Sequence, residues 1–357
     1  MDLKNLKKLA LLILLGAAGA PALSAQQTFN TTIYFDYTFN LTHDGFLTGT
    51  DAAKVLDNKF AFRRAYFTYE NKISDYVRFR FRYDADNTGN IASLSGAKDD
   101  KLRPFMKHLY LQWNPDFISS VINIGMIETL SFKMAEDRWG YRSVAKTLLD
   151  IYKDITGVDI RQSSADIGVS WKGTLAKELR FGAGVYNGEG YSHPELNKYK
   201  KIAGYLQFVP TAGLSINGYV DYEAQVPTAT LASPFALTYK AEAFFEMVPG
   251  LTVVGEWFTY NNDKFMNADL SHYNVGGYSV FGSYKVVVDK FNLFARYDHY
   301  QPNSTQSVKN QALIILGADW YAWGSNARLQ PNVWIYTYAD SNKKSDAVFS
   351  LTFFLSF

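Results

Sequence analysis

The chain has 357 residues, of which 47% are hydrophobic and 20% charged, with 36 Lys+Arg against 34 Asp+Glu. So even a balance gives no bulk electrostatic reason to expect nucleic acid or another polyanion as partner. The lack of any cysteine excludes disulfides, thiolate metal sites, cysteine nucleophiles and a lipidated N-terminal cysteine.

At the start of the chain, Lys4, Lys7 and Lys8 precede an apolar run from Leu9 to Ala18 and a small-residue zone from Ala20 to Ala25. That is the layout of a secretory signal peptide, with an apolar run too short to span a bilayer as a helix. The expected division is therefore a leader over 1–25 and a single domain over 26–357. Cleavage after Ala25 removes three lysines and one aspartate and leaves equal numbers of basic and acidic residues.

Beyond the leader there is no run of 18 apolar residues. Alternation takes over instead. Phe29, Thr31, Ile33, Phe35, Tyr37, Phe39 and Leu41 fall on one face of an extended segment, and Asn30, Thr32, Tyr34, Asp36, Thr38 and Asn40 on the other. The pattern recurs over 60–70, 75–86, 104–113, 119–128, 163–172, 178–187, 199–209 and 214–223. It continues over 235–247, 251–260, 275–287, 290–300, 310–320, 327–339 and 346–357. The final segment places Phe349, Leu351, Phe353, Leu355 and Phe357 on one face, and its terminal Phe resembles the signal read by bacterial outer-membrane assembly machinery. Sixteen segments, an even number, predict an all-β transmembrane antiparallel up-and-down barrel. The 25 Tyr and 26 Phe then serve interfacial girdles.

The connections alternate in length. Tight turns such as Asn71–Ser74, Asn114–Phe117, Pro210–Gly213 and Val248–Gly250 follow even-numbered segments. Longer polar stretches at 42–59, 87–103, 129–162, 188–198, 224–234, 261–274 and 301–309 follow odd-numbered ones. This is the asymmetry between periplasmic turns and outer loops of a bacterial outer-membrane barrel. Strand eleven departs from the pattern by placing Val254 and Phe258 on its lumen face. Pro331 in strand fifteen implies a bulge or a strand end.

The third outer loop, 129–162, is about twice the length of most others and contains a helix-like run at Ser143–Tyr152. Long loops with internal structure are usually functional, and this one is expected to fold into the lumen. It carries Arg138, Arg142 and Lys146, with Glu136 and Asp137 as constriction-loop acids. Arg78, Arg80 and Arg82 alternate with Phe79, Phe81 and Tyr83. Facing lipid, each arginine would cost roughly 2–4 kcal/mol near the midplane, so the arginines face the lumen. A hairpin pivoting at Ile73 or Ser74 brings Arg64 near Arg82 and Glu70 near Arg78. Arg63, of opposite parity, is expected at the rim. The stripe can offer anions successive weak sites, or brace the loop through Glu136 or Asp137.

His43, His108, His193, His272 and His299 show no metal-ligand spacing, no serine sits in a nucleophile motif, and no cofactor or catalytic activity is expected.

The Arg63-Arg64-Ala65 opening of strand two, the basic aromatic strand three, the fifth strand running into Gly125 and the long third loop together resemble the phosphate-selective porin O/P family. The likeness is detailed over 60–135. Where that family often has a basic residue and Pro-Phe after the glycine, this chain has Glu128, Leu130, Ser131 and Phe132. The resemblance implies a homotrimer of barrels, each its own pore. The expected function is passive diffusion of small hydrophilic or ionic solutes across the bacterial outer membrane. Arg64, Arg78, Arg80, Arg82, Arg138, Arg142 and Lys146 would line the path and favour anions or phosphate. The alternative is a barrel acting as adhesin or scaffold through its outer loops.

Overall fold

The computed structural model describes residues 26–42, 58–86, 91–92, 98–99, 104–115 and 119–357. The leader over 1–25 and most of the loops at 42–59 and 87–103 lie outside the described residues.

Sixteen antiparallel strands close into one barrel. They are β1 (Gln26–Asn40), β2 (Asn58–Lys72), β3 (Val77–Asp86), β4 (Pro104–Trp113), β5 (Ser120–Glu128), β6 (Ala165–Ala176), β7 (Leu179–Tyr186) and β8 (Lys201–Thr211). The circuit continues through β9 (Leu214–Ala224), β10 (Phe235–Phe245), β11 (Leu251–Asn262), β12 (Val275–Val287), β13 (Phe291–Gln301), β14 (Gln311–Trp320), β15 (Ala327–Tyr338) and β16 (Asp346–Ser356). All sixteen expected segments are present, with ends shifted by a few residues. Residues 91–92 and 98–99 form a separate two-residue ladder.

Period-two alternation sorts the side chains. In β9, Ser215, Asn217, Tyr219, Asp221 and Glu223 are buried, whereas Ile216, Val220 and Tyr222 are exposed on the outside. Repeated around the barrel, this leaves an outer belt that includes Leu109, Ile124, Val169, Leu206, Val280, Leu293 and Leu316. Exposed Trp113, Tyr284 and Trp320 lie toward the short-turn end, and Tyr83, Tyr222, Tyr239 and Tyr278 toward the long-loop end. An apolar belt this extensive has no place in water, and a closed barrel satisfies its backbone without edges, so the barrel spans a bilayer.

Closure is made by β1 against β16, with Phe35 opposite Phe353, Tyr37 opposite Leu351 and Phe39 opposite Phe349. The Phe35 and Phe353 rings stack at 4.4 Å, and Phe357 exchanges two backbone hydrogen bonds with Thr31. Inside the seam, Thr352 Oγ1 donates to Asp36 at 2.6 Å.

The first hairpin differs from expectation. Its turn occupies residues 73–76, where the Ile73 and Ser74 amides donate to the Val77 carbonyl and Ser74 Oγ accepts from the Tyr76 and Val77 amides. The pivot therefore falls later than Ser74. Glu70 lies opposite Arg80, Thr68 opposite Arg82 and Tyr66 opposite Asp84.

Two bulges break the alternation where it matters. On β2, Tyr34 pairs with Arg64 and Phe35 with Phe62, leaving Arg63 as the extra residue. On β4, Arg82 pairs with His108 and Tyr83 with Met106, leaving Lys107 extra. A bulge sets two residues against one and turns both into the same space. Arg63 consequently enters the lumen rather than the rim, and Lys107 joins His108 inside. Pro331 sits at neither a bulge nor an end. The β14–β15 ladder simply skips residues 330–331, and Asp319 accepts from Gln330 at 3.1 Å and from Arg328 at 2.6 Å across that gap.

Candidate functional site

The third long loop enters the barrel. Its neck is tied where the Thr129 amide donates to Ser164 O and Thr129 Oγ1 to Ser163 O. Between these points run two helices, α1 (Lys133–Trp139) and α2 (Leu148–Thr156). Each ends on a glycine in the left-handed region, Gly140 (φ 66°) and Gly157 (φ 73°), where a side chain would be strained. The single expected run at Ser143–Tyr152 is thus corrected. α2 begins later, because residues 141–147 form a turn folded onto the wall, and α1 carried too short a periodic stretch to read.

The loop docks through apolar side chains onto the lumen faces of β10–β14. Trp139 packs edge-on against Phe281 (5.1 Å) and Phe294 (5.8 Å), Tyr141 stacks on Phe294 at 4.3 Å, and Tyr152 meets Phe258 at 5.2 Å. Val254 and Phe258, the two apolar residues out of pattern in strand eleven, are fully buried in this interface. Burial pushes the Tyr141 hydroxyl up to about 12.

Four wall cations then grip loop carbonyls. Lys240 donates to Ser131 O at 2.8 Å, Arg296 to Lys146 O at 2.6 Å, Arg63 to the Ser143 and Val144 carbonyls, and Lys201 to Arg161 O. Each is neutralised by the wall. Lys240 contacts Glu242 (2.6 Å) and Glu256 (3.1 Å), Arg296 contacts Asp298, Arg63 contacts Asp36 (2.6 Å) and Lys201 contacts Glu223. These mixed lumen charges hold the loop rather than line a path. Glu242 and Glu256 face each other across β10 and β11 with Lys240 between them. Lys240→Met is expected to destabilise the barrel by about 3–5 kcal/mol, the usual cost of stranding a buried partner charge. Denaturant unfolding in detergent micelles reads this directly.

Opposite the docked loop, the wall is basic. Arg80 Nε lies 3.2 Å from Glu70 and Arg80 Nη1 3.5 Å from Glu128. Arg82 donates to Thr68 Oγ1 at 2.8 Å and lies over the Tyr66 ring at 4.9 Å. Arg64 and Lys107 converge on Asp84 at 3.3 and 3.2 Å. From the loop, Arg142 reaches the Tyr66 hydroxyl at 3.3 Å, Asp150 at 2.6 Å and Glu136 at 3.4 Å. Burial disfavours charge on Asp150, yet Arg142, Lys146 and Lys107 together outweigh it and hold the carboxyl well below the usual carboxylate range. The same contacts raise Arg142 further still against its own burial.

Three cavities follow one another along this wall. The first, of about 300 Å³, includes Tyr34, Arg63, Arg64, Arg142, Trp334 and Tyr336. The second, about 170 Å³, includes Arg80, Arg82, Lys107, Lys133, Glu128 and Arg142. The third, about 270 Å³, includes Glu70, Lys72, Arg78, Arg80 and Gln112 toward the short-turn end. Arg142 is common to the first two and Arg80 to the last two.

The expected residues therefore divide. Arg64, Arg78, Arg80, Arg82, Arg142 and Lys146 border these cavities. Arg138 does not. It lies over the Phe244 ring with Glu246 at 3.7 Å. Bracing of the stripe by Glu136 or Asp137 is not the arrangement found. Glu136 pairs with Arg142, and Asp137 with Lys133 one helical turn away in α1. Lys107 and Tyr66 were not foreseen. A phase break in the outward apolar residues announces both bulges: Phe60, Phe62, then Ala65 in β2, and Met106, then Leu109 in β4. Among the described residues no His, Asp or Glu group is placed to hold a metal ion.

With this geometry in view, similarity to solved structures is informative. An anion-selective porin from Comamonas acidovorans superposes with a TM-score of 0.65 at 10% identity, covering 94% of this chain and 100% of that one. The outer membrane channel DcaP of Acinetobacter baumannii gives 0.63 at 12% identity, over 95% and 99% of the two chains. OmpT, an outer membrane protein of Vibrio cholerae, in its trimer form gives 0.60 at 14% identity, over 94% and 100%. The fold is that of the bacterial outer-membrane porins. At the sequence level no family model matches and no curated protein matches.

Proposed function

We propose that this chain is a porin of the bacterial outer membrane that admits small hydrophilic and ionic solutes by diffusion and favours anions, phosphate among them. The observation that carries the reading is the run of three cavities joined at Arg142 and Arg80. A solute following that run meets guanidinium groups at both junctions, while the acids of the far wall are spent on Lys240, Arg296 and Lys201 beneath the loop. Successive partly satisfied cations bind an anion weakly at several places, which lets it enter and leave. The likeness to a porin described as anion-selective and to one solved as a trimer supports anion preference and a homotrimeric assembly. The narrower kinship with the phosphate-selective porin O/P family rests on the motifs between residues 60 and 135.

Refolded protein added to a planar bilayer is expected to produce discrete, stable conductance steps. Correctly folded protein that inserts without conducting removes this reading and favours a loop-borne adhesin or scaffold.

A further inference from the structure

The middle cavity combines two kinds of group that a simple anion attractor would not need together. Most of its cations are already engaged: Lys107 by Asp84, Lys133 by Asp137, Arg142 by Asp150 and Glu136. Arg82 is the exception. Its Nε serves Thr68 and its plane covers Tyr66, while its two terminal nitrogens have no hydrogen-bond partner among the described residues. They form an open fork of the kind that takes an oxyanion side-on.

Bordering the same cavity are polar groups whose hydrogen-bonding capacity is unfilled. Glu128 is 21% exposed on its side chain and meets Arg80 only at 3.5 Å, the long limit of a hydrogen bond. Its remaining lone pairs have no donor among the described residues. His108, 2% exposed, sits edge-on to Tyr110 with both ring nitrogens unpartnered among the described residues. A buried polar side chain without partners in a cavity wall points to a ligand that supplies them.

We infer that the middle cavity prefers anions that bring a hydrogen-bond donor of their own, such as monohydrogen phosphate or a hydroxy acid, over anions that have none, with Glu128 as the residue that sets the preference. The inference rests on the reading of the barrel as an anion-admitting porin. An oxyanion seated on the Arg82 fork turns its far side to Glu128. If that side carries O–H or N–H, the carboxylate accepts it. If it carries only lone pairs, acceptor faces acceptor, and a desolvated carboxylate is left unsatisfied, a difference worth roughly tenfold in occupancy.

The test compares pairs matched in charge and size that differ in one donor. Chloride current through the full chain in planar bilayers is titrated with phosphate and with sulfate at a pH of about 8, where phosphate is a dianion that keeps one proton. Lactate and propionate form the second pair. Wild type is expected to lose half its current at roughly tenfold less phosphate than sulfate, and at less lactate than propionate. Glu128→Gln, whose amide can donate as well as accept, brings both ratios close to one, while the chloride steps persist at a larger size because one negative charge has left the cavity wall. Glu128→Asp, which retracts the carboxylate by one methylene, lowers the ratios if the Gln variant does not insert. Arg82→Gln weakens all four anions and leaves the ratios standing. Ratios of one in wild type, or ratios unchanged in Glu128→Gln, overturn the inference while leaving an anion porin intact. Insensitivity to all four anions together with cation preference overturns the underlying reading as well.

Discussion

Excision of residues 133–156 with a short polar linker raises the single-channel conductance on the order of three-fold. Sixteen strands at a spacing near 4.8 Å and a tilt near 40° enclose a backbone cylinder roughly 30 Å across. Side chains narrow this by about a third. Two helices, each roughly 10 Å wide with side chains, then occupy most of what remains. The excision also uncovers Phe258, Phe281 and Phe294, so a second variant is needed that keeps the loop but frees it. Trp139→Ala with Tyr141→Ala removes the rings that seat on Phe281 and Phe294. Each such truncation in a packed interface costs about 3–5 kcal/mol, enough to let the loop leave the wall intermittently. This double variant is expected to flicker between the wild-type level and the level of the excision.

The loop of the native chain, by contrast, is a fixture. Ser143 Oγ donates to Gln330 at 2.6 Å, and a cysteine pair at those positions, bridged by a short bifunctional thiol reagent that makes up for the lost reach of the glutamine, joins loop to wall in a chain that otherwise has no cysteine. Bridging that pair leaves conductance unchanged if the loop is already seated there, and removes a conducting state if it moves.

The second large effect concerns charge. Arg80→Glu and Arg82→Glu each change the charge bordering the middle cavity, the smallest of the three along this wall, by two units. A single charge at about 6 Å contributes roughly 0.7 kcal/mol in bulk water and several times that in a narrow neck of lower effective dielectric. The anion-to-cation permeability ratio is therefore expected to fall by about tenfold for either variant. Arg78→Glu, on an exposed side chain at the short-turn mouth, shifts the ratio far less because salt screens it. Equal effects at all three positions would show that the ladder as a whole, rather than the neck, sets the preference.

How the chain reveals this arrangement depends on which physical rule governs each part. The barrel is legible almost residue by residue, because each strand must present one face to lipid and one to the lumen. That demand repeats sixteen times with nothing to mask it. The inward fold of the third loop is legible through its length. The docking wall is visible too, in the apolar Val254 and Phe258 that stand out of pattern until the loop's two helices cover them. The hairpin pairing of Arg80 with Glu70 was not legible, since it depends on whether the turn spans residues 73–76 or begins earlier, and Ser74 settles that through its own hydroxyl. Arg63 was placed at the rim and Lys107 was not foreseen, because a strict period of two has no room for a bulge. The roles of Glu136 and Asp137 failed for a different reason. Their partners, Arg142 and Lys133, lie on the same loop, and strand periodicity cannot say which of two equally near cations a carboxylate takes.

The central claim is that a guanidinium-lined constriction makes this barrel an anion-preferring channel. The reversal potential of the wild-type chain under a salt gradient across a planar bilayer tests it most directly. A potential whose sign reports faster passage of chloride than potassium, diminished in Arg80→Glu and Arg82→Glu, is the predicted result. A potential of cation-selective sign in the wild type, or one indifferent to both substitutions, contradicts it.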